Sequence, residues 1–141
     1  MTDKLSIADY PLAEKRPERV RGARGQTLDD VTLDRVVAGD VEMEDLRITP
    51  DALLAQAEIA RAAGRPTLAA NFERASEMVQ VPQQVIMEMY ELLRPGRAPD
   101  KGKLMAAAQR LRDDFGAQRL ATFLEEAAEV YDRRGLFRFR Y

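Results

Sequence analysis

This 141-residue chain contains no cysteine and no histidine. Without cysteine there is no disulfide, no thiolate nucleophile and no sulfur ligand for a metal. Without histidine the commonest general base near neutral pH and the commonest metal ligand are both missing. Serine is scarce as well: only Ser6 and Ser76 occur, and neither stands in a nucleophile-elbow pattern. A metal would have to be held by carboxylates alone, which suits magnesium or calcium better than zinc. Long apolar runs are absent too, none approaching the roughly 20 residues needed to span a bilayer. The first twenty residues, MTDKLSIADYPLAEKRPERV, hold no apolar segment of the secretory kind, so a cytoplasmic location is expected. Together these absences argue against an independent catalyst.

What is present describes a helix-rich domain. Hydrophobic residues make up 45% and charged residues 33%, and the length is enough for one folded domain with a real core. Net charge is −2, yet 18 of the 22 basic residues are arginine. Arginine carries a planar fork that pairs carboxylates bidentately and is easier to desolvate than an ammonium, which favours interfaces. A general compositional preference for arginine explains the same excess.

The stretch 47–95 organises the chain and reads as three consecutive helices. Thr49 is a good N-cap, and Pro50 follows where its missing N–H costs nothing. Gly64 can close that helix in the left-handed conformation and Pro66 opens the next. Val81-Pro82 repeats the device. Leu68, Phe72, Ala75 and Val79 share a face at helical spacing, as do Val85, Met89 and Leu92. Phe72 is the expected central plug. Its truncation to alanine would cost about 3–5 kcal/mol if it is fully buried.

The remaining chain divides around this core. Residues 1–26 read as an irregular, extended N-terminal arm broken by Pro11 and Pro17, with a compact apolar knot of Tyr10, Pro11 and Leu12 lacking an evident local partner. Such an arm gains order by lying on another subunit. Residues 27–141 form one helical domain, in which 27–46 supplies short helices anchored by Leu28, Val31, Leu33, Val36 and Val37. Beyond the Pro95–Pro99 cluster, a C-terminal helical pair spans 100–134, capped by Asp100 and interrupted at Gly116. The fold class is all-α: an open up-and-down bundle with a three-helix core over 50–94, two C-terminal helices and the N-terminal arm.

Candidate chemistry is thin. Glu125, Glu126 and Glu129, or Glu73 and Glu77, could be imagined as acid–base or di-metal pairs. Carboxylates at helical spacing near arginines more simply line solvated faces in ion pairs. The NFERA stretch mixes polar and apolar signals, and a buried Arg74 needs a carboxylate partner, either within this chain or across a subunit boundary. The end, from Arg133 to Tyr141, alternates arginine with aromatics, which suits a docked tail. Stacking on nucleic acid is the weaker reading, because the chain is acidic overall.

Several motifs taken in order carry a resemblance: DYPLA at 9–13, TLDDVTL at 27–33, RITP at 47–50, QAEIA at 56–60, AGR at 63–65, NFERASE at 71–77, VP at 81–82 and LRP at 93–95. They resemble the small subunit of coenzyme-B12-dependent diol and glycerol dehydratases. The match is dense from about residue 8 to residue 95 and looser beyond, where the Pro95–Pro99 cluster departs from the family's usual pattern.

The resemblance implies a hetero-oligomer of large, medium and small subunits, two copies of each. The assembly uses adenosylcobalamin, held by the other subunits, to convert propane-1,2-diol or glycerol to an aldehyde with loss of water. The small subunit is then a non-catalytic, structural subunit docked on the large one, with no catalytic, cofactor or metal residue of its own and no nucleic-acid or membrane partner. Residues expected at the subunit interface are Tyr10, Pro11, Leu12, Arg47, Asn71, Arg74, Phe137 and Phe139. DYPLA stands close to the start, as in the shorter glycerol-dehydratase type, while longer relatives carry an extension linked to microcompartments. Both substrates, and a location in the cytoplasm or within such a compartment, stay open. The alternative class is a helical protein–protein adaptor unrelated to dehydratases.

Overall fold

Caps and breakers set the element boundaries in the computed structural model, which describes residues 3–137. Helices and turns account for the regular structure among the described residues, with no strand and only an isolated antiparallel bridge between Arg21 and Thr27. This is the all-α class expected. The chain separates into two compact units, Met1–Val79 and Gln80–Tyr141.

The first unit begins with short helical turns at Ile7–Asp9, α1 (Leu12–Lys15) and Pro17–Arg19. Here the expectation of a knot lacking a local partner needs correction at Leu12. Ser6 and Asp9 cap each other, the Ser6 backbone N–H donating to Asp9 Oδ2 at 2.7 Å and the Ala8 N–H to Ser6 Oγ at 3.2 Å. Leu5 (1% exposed) and Leu12 (5%) then close on Ala55 and Ile59, with Val20 beside them. The two leucines, brought together by a capped turn, bury apolar surface against α4.

Further short elements follow: a turn at Leu28–Asp30, α2 (Leu33–Val37) and α3 (Met43–Leu46). The unit ends in a hairpin of α4 (Pro50–Ala62) and α5 (Pro66–Met78). Thr49 Oγ1 accepts from the Ala52 N–H at 3.1 Å, as its capping role requires. Gly64, at φ 71°, closes α4, and Pro66 opens α5. Ala57 and Ala60 of α4 face Ala69 of α5, which is 0% exposed. These small side chains bring the helices close, leaving no central space for a large ring. Phe72 is therefore half-buried at the edge of the contact rather than its plug, and Leu68 and Val79 stay exposed.

In the second unit, α6 (Gln83–Leu93) precedes a hairpin of α7 (Lys101–Phe115) and α8 (Gln118–Arg134). Asp100 Oδ1 accepts from the Lys103 N–H at 2.8 Å and starts α7. Gly116, at φ 62°, ends α7, with the Ala117 N–H donating back to Leu111 O at 3.0 Å. Val85 and Met89 of α6 pack with Ala108 and Leu111 of α7 and Ala121 and Leu124 of α8. Ala98, in the segment between Pro95 and Pro99, is itself buried and joins Leu104 and Ala128 in a second cluster. No helix among the described residues is long and apolar enough to cross a membrane.

Candidate subunit interface

Three of the imagined carboxylates, Glu73, Glu125 and Glu129, are ion-pair partners in the structure. Glu125 receives both arms of the Arg112 guanidinium, at 2.8 and 3.1 Å, linking α7 to α8. That hydrogen bonding, more than charge alone, holds the Glu125 carboxyl below its ordinary pKa and raises that of Arg112. Glu129 meets Lys101 at 2.6 Å, and its hydrogen bond pushes the Lys101 ammonium pKa up. Glu73 meets Arg61 at 2.5 Å, across the first hairpin. Among the described residues no cluster of carboxylates is arranged to hold a metal ion.

What the first unit presents is apolar surface. Leu33 (77% exposed), Val37 (80%) and Met43 (70%) point into solvent, and Leu28, Leu46 and Ile48 are each more than half exposed. The expectation that Leu28, Leu33, Val36 and Val37 anchor a buried subdomain is corrected by these exposures. Helices as short as α2 and α3, of five and four residues, cannot present a continuous buried stripe.

A polar clamp ties α3 and the residues before it to the 22–24 stretch. Asp45 is buried, its side chain closed to solvent. It accepts from Arg24 Nε at 3.0 Å and from the Glu42 N–H at 2.9 Å. Arg24 also reaches Glu42 at 2.7 Å and donates to Asp40 O at 2.9 Å. Gly22 lies against the Asp45 backbone, where an added Cβ would stand 3.0 Å from its carbonyl oxygen. Val41 is buried beside this clamp in sequence. Leu33, Val37 and Met43 project outward from the segment that Asp45 ties down.

The interface residues expected from sequence fall in different settings. Tyr10, Pro11, Arg47 and Asn71 are exposed and open to a partner. Leu12 is not: it belongs to this chain's own core, because Leu5, Ala55 and Ile59 supply the partner that the sequence did not reveal. Arg74 is half-buried and donates to Asn71 Oδ1, so these two expected residues act together. Phe137 packs on the Ala98–Leu104–Ala128 cluster and meets the Tyr131 ring edge-on at 6.1 Å. Phe139 lies outside the described residues. Arg47 lines a small pocket that also includes Arg21 and Gln26.

Comparison with known proteins identifies the family. The family model for the dehydratase small subunit matches residues 5–138. The propanediol dehydratase small subunit of Citrobacter freundii is 49% identical over 128 residues, covering 91% of this chain and 74% of that protein. The corresponding small subunit of Salmonella typhimurium is 48% identical over 128 residues, covering 91% of this chain and 73% of its own length.

Proposed function

The chain belongs to the dehydratase small-subunit family, and from that premise we propose that it braces a B12-dependent diol dehydratase without taking part in the reaction. The reading of an adaptor unrelated to dehydratases does not survive the family match. The observation that carries the proposal is the exposure of Leu33, Val37 and Met43 on short helices in a segment tied down by the buried Asp45–Arg24 pair. A solvent-facing apolar surface of this kind is the signature of a docking face. Tyr10, Pro11, Arg47 and Asn71 are further exposed candidates.

The occupant of that face is the large catalytic subunit, in an assembly with two copies each of large, medium and small subunits. Propane-1,2-diol is the favoured substrate, as the names of both relatives suggest, with glycerol the second. Adenosylcobalamin supplies the radical chemistry and belongs to the other subunits. Having neither an imidazole nor a thiolate, this chain has no side chain suited to ligate cobalt directly. The assembly works in the cytoplasm or within a bacterial microcompartment.

Co-expression with the large and medium subunits tests this. The wild-type chain should be recovered in a stable complex with dehydratase activity. The double variant Val37→Asp, Met43→Asp should be lost from it while keeping its helicity and melting temperature. Complete activity of an assembly lacking this chain would overturn the bracing role. A cobalamin spectral shift on titration of the isolated chain would overturn its exclusion from cofactor binding.

A further inference from the structure

A pocket of about 160 Å³ opens in the first unit between the 20–31 segment and the start of α4. Its apolar walls come from Val20, Leu28, Val31, Ile48 and Ala52. Gln26 also lines it, and its Oε1 is buried with no hydrogen-bond partner among the described residues. The other end of the amide is committed, because Nε2 donates to Asp40 O at 3.1 Å. That bond fixes which way the amide points and leaves the acceptor, not the donor, unpaired. A buried acceptor without a donor is costly, so native proteins supply one from solvent, a ligand or a partner.

The charges around the pocket narrow what can enter. Its carboxylate, Asp45, is already satisfied by Arg24 and the Glu42 N–H. Its remaining charged lining groups are the guanidinium groups of Arg21 and Arg47. A cationic donor would be repelled by these two groups, and a carboxylate has no hydrogen to give to Gln26. An uncharged donor on an apolar stem meets both demands, and the volume suits a single side chain. Leu28 and Ile48, which line the pocket, are also among the exposed apolar residues of the proposed docking face.

We propose that this pocket is the anchor point of the docking face, seating one tyrosine or tryptophan side chain of the large dehydratase subunit whose O–H or N–H donates to Gln26 Oε1. The inference rests on the reading that the chain docks on larger dehydratase subunits. Buried aromatic anchors with a polar tip are the side chains that dominate interface energetics.

The test uses the co-expressed complex and two variants. Gln26→Met keeps the side-chain length and removes the acceptor. In the free chain, relief of the unpaired acceptor offsets the lost bond to Asp40, so the melting temperature should hold. Affinity for the larger subunits should fall at least about fivefold, the loss expected when a buried donor is left unpaired. Ala52→Phe fills the pocket from α4 and should abolish recovery of the complex. Should Ala52→Phe fail to fold, Gln26→Met alone decides. Wild-type assembly with unchanged affinity for Gln26→Met means that water satisfies the glutamine; the pocket proposal falls and the docking reading stands. Failure of the wild-type chain to assemble removes the docking reading and the pocket with it.

Discussion

The backbone N–H of Leu5 donates to Glu58 Oε2 at 3.0 Å, joining a residue near the start of the chain to the middle of α4, 53 positions away. The leucine side chain lies beside Ala55 and Ile59, so one residue contributes both a polar and an apolar tie. Replacing it with alanine should cost about 2–5 kcal/mol, the range for truncating a fully buried leucine. Urea unfolding measures this. A cost below the resolution of that measurement would mean that the N-terminal segment is not part of the folded unit.

Gly22 should tolerate no side chain. Its φ is ordinary, so the constraint is contact and not backbone strain: a Cβ would meet Asp45 O at 3.0 Å and Asp45 Cα at 3.5 Å. Those are backbone atoms, which cannot swing aside, and they carry the buried carboxylate that holds Arg24. Gly22→Ala should destabilise the chain by about 1–3 kcal/mol, as overpacking does. Thermal melting of the variant against the wild-type chain measures this contact.

Phe72→Ala should cost less than the about 3–5 kcal/mol of a fully buried phenylalanine. The ring covers the edge of the Ala57–Ala60–Ala69 contact and is only half-buried. Ala69→Leu, by contrast, places volume where the helices touch and should disrupt the hairpin. Equilibrium unfolding of both variants checks their order.

Stability should decline on the acid side. The Ser6 backbone N–H holds the Asp9 carboxyl below its ordinary pKa, and the Thr27 backbone N–H does the same for Asp30. The Arg112 hydrogen bond lowers Glu125. Because the folded chain gives up these protons more readily than the unfolded one, their contribution is complete above the unfolded carboxyl range of about pH 4. It is lost as pH falls through the lower folded values. The melting temperature should hold between about pH 5 and 7 and drop below about pH 4, and Asp30→Asn should make that drop shallower.

Much of the helical framework was legible in the residues. The caps at Thr49 and Asp100, the stops at Gly64 and Gly116 and the proline starts at Pro50 and Pro66 act locally, so their effect does not wait for a partner. The interface was less legible. Leu12 and Leu33 are the same residue type in similarly short helices, yet one is buried and the other projects into solvent. Spacing alone does not separate them, because a helix of one turn offers no periodicity to read. Asp45 gave no signal either; an acidic residue in VEMEDLR looks like surface until Arg24, 21 positions earlier, is brought against it.

The sequence by itself determined the all-α class, the ends of the long helices and the absence of imidazole and thiol chemistry, since each depends on near neighbours or on composition. Tertiary structure decided which apolar side chains are covered. Leu5 and Leu12 found α4, Val85 and Met89 found α7 and α8, and Leu33, Val37 and Met43 found nothing among the described residues of this chain that buries them. Burial depends on what lies opposite in space, and that is set by packing among residues far apart along the chain.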